Sequence, residues 1–199
     1  MDLSVLRRYE PAVVTDEQRE SAVLVPIIDR SSSPQLLFTK RSEDLNNHPG
    51  QMSFPGGKRE PEDETLRETA ARESQEEIGL RPEDITFVGR LDDIRTVSQF
   101  SVRPFVGRIP DETYHPCNGE VAEVAVLSLS ALTDLDNYHS ERRDHPYYGD
   151  IRLHYFYIDE YTVWGATARI LVQFLELTTE WAPPPEVDAE VEPDADFPV

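Results

Sequence analysis

Residues 54–80 read FPGGKREPEDETLRETAARESQEEIGL, and the interpretation of this stretch decides the fold. It opens with Pro55-Gly56-Gly57, a tight turn in which glycine permits positive φ and close backbone approach. Asp63 follows, then a helix-compatible run from about Glu64 to Ile78, with Pro61 ahead of it and Gly79 as its stop. Leu66, Ala70 and Ile78 give that helix an apolar face for a core. A helix advances about 100° per residue, so Glu73, Glu76 and Glu77 share an arc of roughly 100°. Three carboxylates on one face repel one another. A hard cation with oxygen ligands is the natural compensation.

A glutamate pair alone means little in a chain with 39 Asp and Glu among 199 residues. A solvated acidic helix face is the ordinary reading of Glu76-Glu77 by itself. The full spacing is more specific. Gly57, five residues, Asp63, eight residues, Arg72-Glu73, two residues, Glu76-Glu77, one residue, Gly79-Leu80 fixes a long pattern. Its chance occurrence is on the order of 1 in 10⁸ per starting position.

At these positions the chain resembles the Nudix hydrolases. Their signature is Gly, five residues, Glu, seven residues, Arg-Glu, an apolar residue, any residue, Glu-Glu, any residue, Gly and an apolar residue. Here Asp63 replaces the first Glu, the second gap is one residue longer, and Ser74 takes the apolar position. Upstream, residues 37–57 read LFTKRSEDLNNHPGQMSFPGG. This resembles the element of the coenzyme A pyrophosphatase branch: Leu-Leu-Thr, any, Arg, Ser or Ala, three residues, Arg, three residues, Gly, three residues, Phe-Pro-Gly-Gly. Leu37, Thr39, Arg41, Ser42, Gly50 and Phe54 to Gly57 match, and Phe38 replaces a Leu. Asn46 stands where that branch has Arg, which removes a forked phosphate donor.

The resemblance implies an α/β fold, a Nudix-type α/β/α sandwich with a mixed β-sheet. It implies Mg²⁺ or Mn²⁺, with Glu73 and Glu77 as ligands and Glu76 as a weaker one. It implies that Arg72 pairs with Asp63 and holds loop to helix; on the helical wheel Arg72 points away from the carboxylate arc. Pyrophosphate and acidic enzyme are both anionic, so bridging cations would neutralise phosphate oxygens and acidify an attacking water. A carboxylate would accept the proton. Glu120 and Glu123 flank the start of a strand, where the family commonly places an extra ligand or the base. Those two and the helix glutamates, Glu73 and Glu76 included, remain alternatives. Lys40, Arg41, Lys58 and the backbone of Gly56 and Gly57 are the candidate substrate-binding groups. The substrate expected is a small-molecule nucleotide, coenzyme A first, ADP-ribose or a dinucleotide second. A non-catalytic nucleotide-binding module is the third reading, and the retained carboxylates argue against it.

Composition narrows the class. The length suits one domain with a good core. Residues 1–181 are expected to form it, and the Pro-, Asp- and Glu-rich residues 182–199 a disordered tail. No apolar run approaches the roughly 20 residues of a membrane span. The N-terminal MDLSVLRRYEPAVV lacks a signal-peptide core, and the single Cys117 precludes an internal disulfide framework. Together these place the expected chain in the cytoplasm, with Cys117 structural rather than nucleophilic. A formal charge of −20 argues against nucleic acid and anionic membranes as partners. A homodimer is left open. Lys40 and Lys58 are the only lysines, and strong acidity with scarce lysine resembles proteins of salt-accumulating microbes.

The remaining pattern places strands at Ala22–Asp29, Gln35–Arg41, Ile85–Leu91, Phe100–Ile109, Val121–Leu129 and Ile151–Ile158. Residues 1–20 read as a short helix or extended lead-in. A core-packed helix follows Trp164 through Ile170, Leu171, Phe174, Leu175 and Leu177. His48 falls in a polar loop at 42–53 and reads as a surface residue.

Overall fold

The apolar run of residues 22–28 cannot be left in water, and its near-continuous hydrophobicity fits a strand covered on both faces. It becomes the central β1, Arg19–Ile28. The computed structural model describes residues 1–17, 19–30, 33–45, 49–96, 99–145 and 149–192. Asn46 and His48 lie outside the described residues. In chain order the further elements are β2 (Gln35–Arg41), β3 (Met52–Ser53), β4 (Gly56–Lys58), α1 (Leu66–Ile78), β5 (Thr86–Arg90), β6 (Ile94–Arg95), β7 (Phe100–Ile109) and β8 (Val121–Ser128). Then come α2 (Leu129–Leu132), β9 (Tyr138–His145), β10 (Gly149–Ile158), β11 (Tyr161–Trp164), α3 (Gly165–Thr178) and β12 (Ala189–Val191).

The main sheet is mixed. β1 runs parallel to β7 along its whole length, Arg19 opposite Phe100 through Ile28 opposite Ile109. Its other side is shared: β4 pairs antiparallel at Ser21–Val23 and β2 at Ile27–Ile28. β8 lies antiparallel on β2.

Side-chain alternation sends the two faces of this sheet to two cores. Leu24, Ile28, Leu37 and Val126 pack against Leu66, Ala70 and Ile78 of α1. Val25, Ile27, Phe38 and Leu127 pack on Ile170, Leu171 and Phe174 of α3, with Phe156 and Val163. The layers are α1, the mixed sheet, and a third layer in which α3 is joined by a second sheet ordered β11-β10-β9-β12. The α/β class with a mixed sheet is therefore present. The second sheet was not foreseen, because β9 reads YHSERRDH and shows no apolar alternation.

Two expectations are corrected. Helix α1 begins at Leu66, not near Glu64, because Thr65 caps it. The segment 182–192 is not disordered. Ala189–Val191 pairs parallel with Glu141–Arg143, and Asp188 accepts from the Ser140 N–H at 2.8 Å and its hydroxyl at 3.2 Å. Unpaired edge groups of β9 thus find partners in the chain's own acidic segment. No described helix is long and apolar enough to cross a membrane.

Candidate active site

The site is built where β4 meets α1. Gly56 has φ of 152°, and a Cβ there would lie 2.2 Å from the Ala22 carbonyl oxygen and 2.6 Å from the Val23 Cα. Only glycine fits a turn laid that closely on β1. The turn is fixed from both sides: Leu24 N–H donates to the Pro55 carbonyl at 2.8 Å, and Arg59 N–H to the Glu20 carbonyl at 3.0 Å. A Cβ on Gly57 would sit 2.4 to 2.7 Å from the Glu73 carboxylate, so the absent side chain is the space that carboxylate occupies.

Helix α1 is fixed at both ends. Thr65 accepts from the Glu68 N–H and Glu68 accepts from the Thr65 N–H, a reciprocal capping box. Gly79 closes the helix at φ 72°. Ser74, at the position where an apolar residue is usual, is buried and donates to the Ala70 carbonyl at 2.7 Å. Its hydroxyl is satisfied inside the helix, which explains why the substitution is tolerated. The Cys117 N–H donates to the Glu77 carbonyl at 2.9 Å; its thiol is exposed.

Glu77 is the deepest carboxylate of the site, 4% exposed. Its Oε2 accepts from the Gly56 N–H at 3.1 Å. Burial pushes its carboxyl up to about 8, with Glu73 and Glu120 adding repulsion against the Gly56 bond and the Arg41 charge. Glu73 is also raised by burial, offset in part by Arg72.

Arg72 is the hub of the loop–helix junction. Its Nε donates to Asp63 Oδ1 and its Nη2 to Asp63 Oδ2, both at 3.1 Å, and Nη2 reaches the Lys58 carbonyl at 2.9 Å. Asp63 also accepts from Thr69 Oγ1 and the Glu60 N–H, each at 2.9 Å. These bonds, Arg72 first, hold its carboxyl down at about 2. The expectation that Arg72 points away from the carboxylates is overturned. Its guanidinium contacts Glu73 at 3.1 Å and Glu76 at 3.2 Å. A long side chain folds back over the next turn, which a helical wheel does not show. Glu76, with its side chain 53% exposed, is thereby held on Arg72 at the surface.

Strand parity places Glu123, and electrostatics Glu120. Ala125 and Leu127 face the α3 side and Val124 and Val126 the α1 side. Glu123 shares the parity of the first pair, and the Tyr161 hydroxyl donates to it. Glu120 lies one residue before the strand, beyond the register shift opposite Lys40 and Arg41, and acts electrostatically on Glu73 and Glu77. Its backbone is held by Ser42 N–H and by the Asn118 side chain. Tyr161 gave no signal in the sequence.

The basic candidates divide likewise. Arg41 acts on Glu77 electrostatically, and its buried Nε has no hydrogen-bond partner among the described residues. Lys40 lies opposite Glu123 in the β2–β8 ladder, on the parity of Leu36 and Phe38, away from α1. Lys58 is one step along β4 from Gly57.

Among the described residues no three His, Cys, Asp or Glu side chains close into a ready metal cage. The donor chemistry nevertheless fits a hard divalent cation: Glu73, Glu77 and Glu120 are oxygen donors that repel one another, and Glu77 is a desolvated carboxyl with no guanidinium in contact.

Carboxylates drawn from one helix thus lie beneath a glycine turn on an α/β/α sandwich. The chain belongs to the Nudix family: the family model described as NUDIX domain matches residues 18–148. It is 40% identical over 161 residues to an uncharacterised Nudix hydrolase NudL of Pectobacterium atrosepticum, covering 79% of this chain and 81% of the relative. The NudL of Photorhabdus laumondii is 33% identical over 170 residues, 83% of this chain and 88% of that protein. Among solved structures, a MutT/nudix family protein from Enterococcus faecalis matches at a TM-score of 0.58 and 12% identity, over 85% of this chain and 65% of that one, which supports the fold. The protein is a Nudix hydrolase, of a family that hydrolyses pyrophosphate bonds and generally needs divalent metal ions.

Proposed function

We propose that this chain hydrolyses the pyrophosphate bond of coenzyme A or its derivatives, using Mg²⁺ or Mn²⁺, to a phosphopantetheine and adenosine 3′,5′-bisphosphate. The observation that carries the chemistry is Glu77: a buried carboxylate aimed at the Gly56 N–H, beside Glu73 and within electrostatic reach of Glu120. The coenzyme A reading is supported by the Leu37–Gly57 element.

Glu73 and Glu77 would hold the cation. When bound, it would neutralise phosphate oxygens and make a water more acidic. The chain's own groups do the rest. Asp63 and Arg72 fix the loop to the helix, so Gly57 and Glu73 stay in register. Arg41 offers a guanidinium to a phosphate oxygen. Glu120 would accept the proton of the attacking water, a role supported by its electrostatic reach to Glu73 and Glu77, whereas Glu123 is turned to the other face and held by Tyr161. Glu76 stays a peripheral ligand while Arg72 holds it.

Asn46 favours a second reading, in which the substrate is another nucleoside diphosphate derivative such as ADP-ribose or a dinucleotide. The test is product identity by mass spectrometry across a substrate panel with magnesium. Phosphopantetheine and adenosine 3′,5′-bisphosphate from coenzyme A support the first reading. Cleavage confined to ADP-ribose or dinucleotides selects the second. Absence of any cleavage would leave a nucleotide-binding module.

The acidic excess along the whole chain supports adaptation to high ionic strength, with the protein acting in the cytoplasm.

A further inference from the structure

A second feature adjoins the Nudix turn around Lys58 and Arg59. A cavity of about 470 Å³ is lined by the cations Arg19, Lys58 and Arg59, the carboxylates Glu20, Glu60 and Asp63, and Pro61 and Phe100. That is within the size range of small-ligand sites. Three cations meet here beside three carboxylates, of which Glu20 and Asp63 are paired with arginines. The register explains why: Arg19 lies opposite Phe100 in the β1–β7 ladder, and Lys58 opposite Ser21 in the β1–β4 ladder. The Arg19 guanidinium carbon lies 4.7 Å and the Lys58 ammonium 5.8 Å from the Phe100 ring centroid. Both cations are therefore oriented by one aromatic ring before any ligand arrives. Arg59 is fixed too, on the Asp63 and Glu64 carbonyls and on Glu20 at 2.8 Å. Glu20 is thereby neutralised, as Asp63 is by Arg72. The Lys58 ammonium has no carboxylate partner among the described residues and keeps its donors for a ligand. Another hollow, about 640 Å³ around Leu3, Arg7 and Arg108, holds none of the site residues.

We propose that this cavity is a phosphomonoester site, with Lys58 and Arg19 as its cationic contacts and Phe100 as its wall. This rests on the nucleotide-hydrolase reading and deepens it. A nucleotide carrying a terminal phosphate away from its diphosphate would place that phosphate here, one residue along β4 from Gly57. The site needs no guanidinium at position 46, so the Asn46 departure does not remove phosphate recognition. The same chemistry could be supplied by free inorganic phosphate, and the test separates the two sources.

Binding is measured calorimetrically on the full chain with metal chelated, which keeps it independent of turnover. The probes are AMP, adenosine 3′,5′-bisphosphate and inorganic phosphate, each on the native protein and on Lys58→Met and Arg19→Met. If the substrate supplies the group, the bisphosphate binds about tenfold more tightly than AMP, and each variant removes that advantage while leaving AMP affinity in place. If free phosphate supplies it, both nucleotides bind alike and inorganic phosphate binding is lost in Lys58→Met. Discrimination that survives both variants, or no Lys58-dependent phosphate binding of either kind, overturns the proposal. So does an equal loss of AMP and bisphosphate in Lys58→Met, which would assign the lysine to the diphosphate itself. The hydrolysis panel is scored separately, so an inactive protein with an intact phosphate site is distinguishable from an active one without it.

Discussion

Arg72 shows how one side chain can serve two parts of a site. It pairs with Asp63 at 5% side-chain exposure and also holds Glu73 and Glu76. Asp63→Ala and Arg72→Ala should therefore both reduce activity, and a double-mutant cycle should give a coupling of about 1–3 kcal/mol. The arginine change should be the worse of the two, since it also releases both glutamates. Purely additive losses would show that the pair does not act as a clamp. Asp63 further predicts an acid limb. Its carboxyl is depressed from 3.8 to about 2. The stability it contributes is thus complete above about pH 4 and is lost as pH falls through about 2. The difference in melting midpoint between native protein and Asp63→Asn should shrink over that window. A constant difference would contradict the assignment. The spacing of Asp63 and Arg72 was legible in the sequence. The reach of Arg72 back to the glutamates was not, because it depends on rotamers.

The elements repeat the point. Helix α1 was legible because its stop at Gly79 and its face of Leu66, Ala70 and Ile78 are local features. Its start was missed by about two residues, although Thr65 and Glu68 carry the capping-box spacing. Thr65→Ala should cost about 1 kcal/mol, read as a lower denaturant midpoint. Strand β8 was legible, but the choice between its glutamates was not. Val124 and Val126 are as apolar as Ala125 and Leu127, because the strand is covered on both faces, and periodicity alone cannot say which face looks at α1. The two positions now make a prediction. Glu120→Gln should lower kcat by about 10²-fold or more, the contribution of a positioned proton acceptor. Glu123→Gln should leave kcat within about threefold while costing stability through the Tyr161 bond. The reverse order in steady-state kinetics would return Glu123 to the catalytic role. Strand β9 escaped notice because its own sequence, YHSERRDH, carries no apolar alternation, although the strand it pairs with, β10, follows closely in the chain and was legible.

For the whole molecule, charge and chain ends matter most. At −20 the native chain repels itself, and the surface charges are open to screening. The melting midpoint should rise from low salt to molar potassium chloride; a flat or falling curve would contradict adaptation to salt. Composition reads residues 182–199 as a disordered acidic tail. Composition does not reveal that Asp188 and Ala189–Val191 meet the Ser140 edge of β9. Deleting residues 182–199 should now lower the midpoint rather than leave it unchanged, and an unaltered midpoint would show that β12 adds no stability.

The central claim is that Glu77, buried under Gly56, is part of a cation-dependent hydrolytic site. Its most direct test compares magnesium-dependent hydrolysis by native protein and Glu77→Gln, with circular dichroism confirming that both are folded. The account predicts that the native protein cleaves a nucleoside diphosphate derivative only with the metal, and that Glu77→Gln loses about 10²-fold or more of kcat at saturating magnesium. Full activity of Glu77→Gln under those conditions would contradict it.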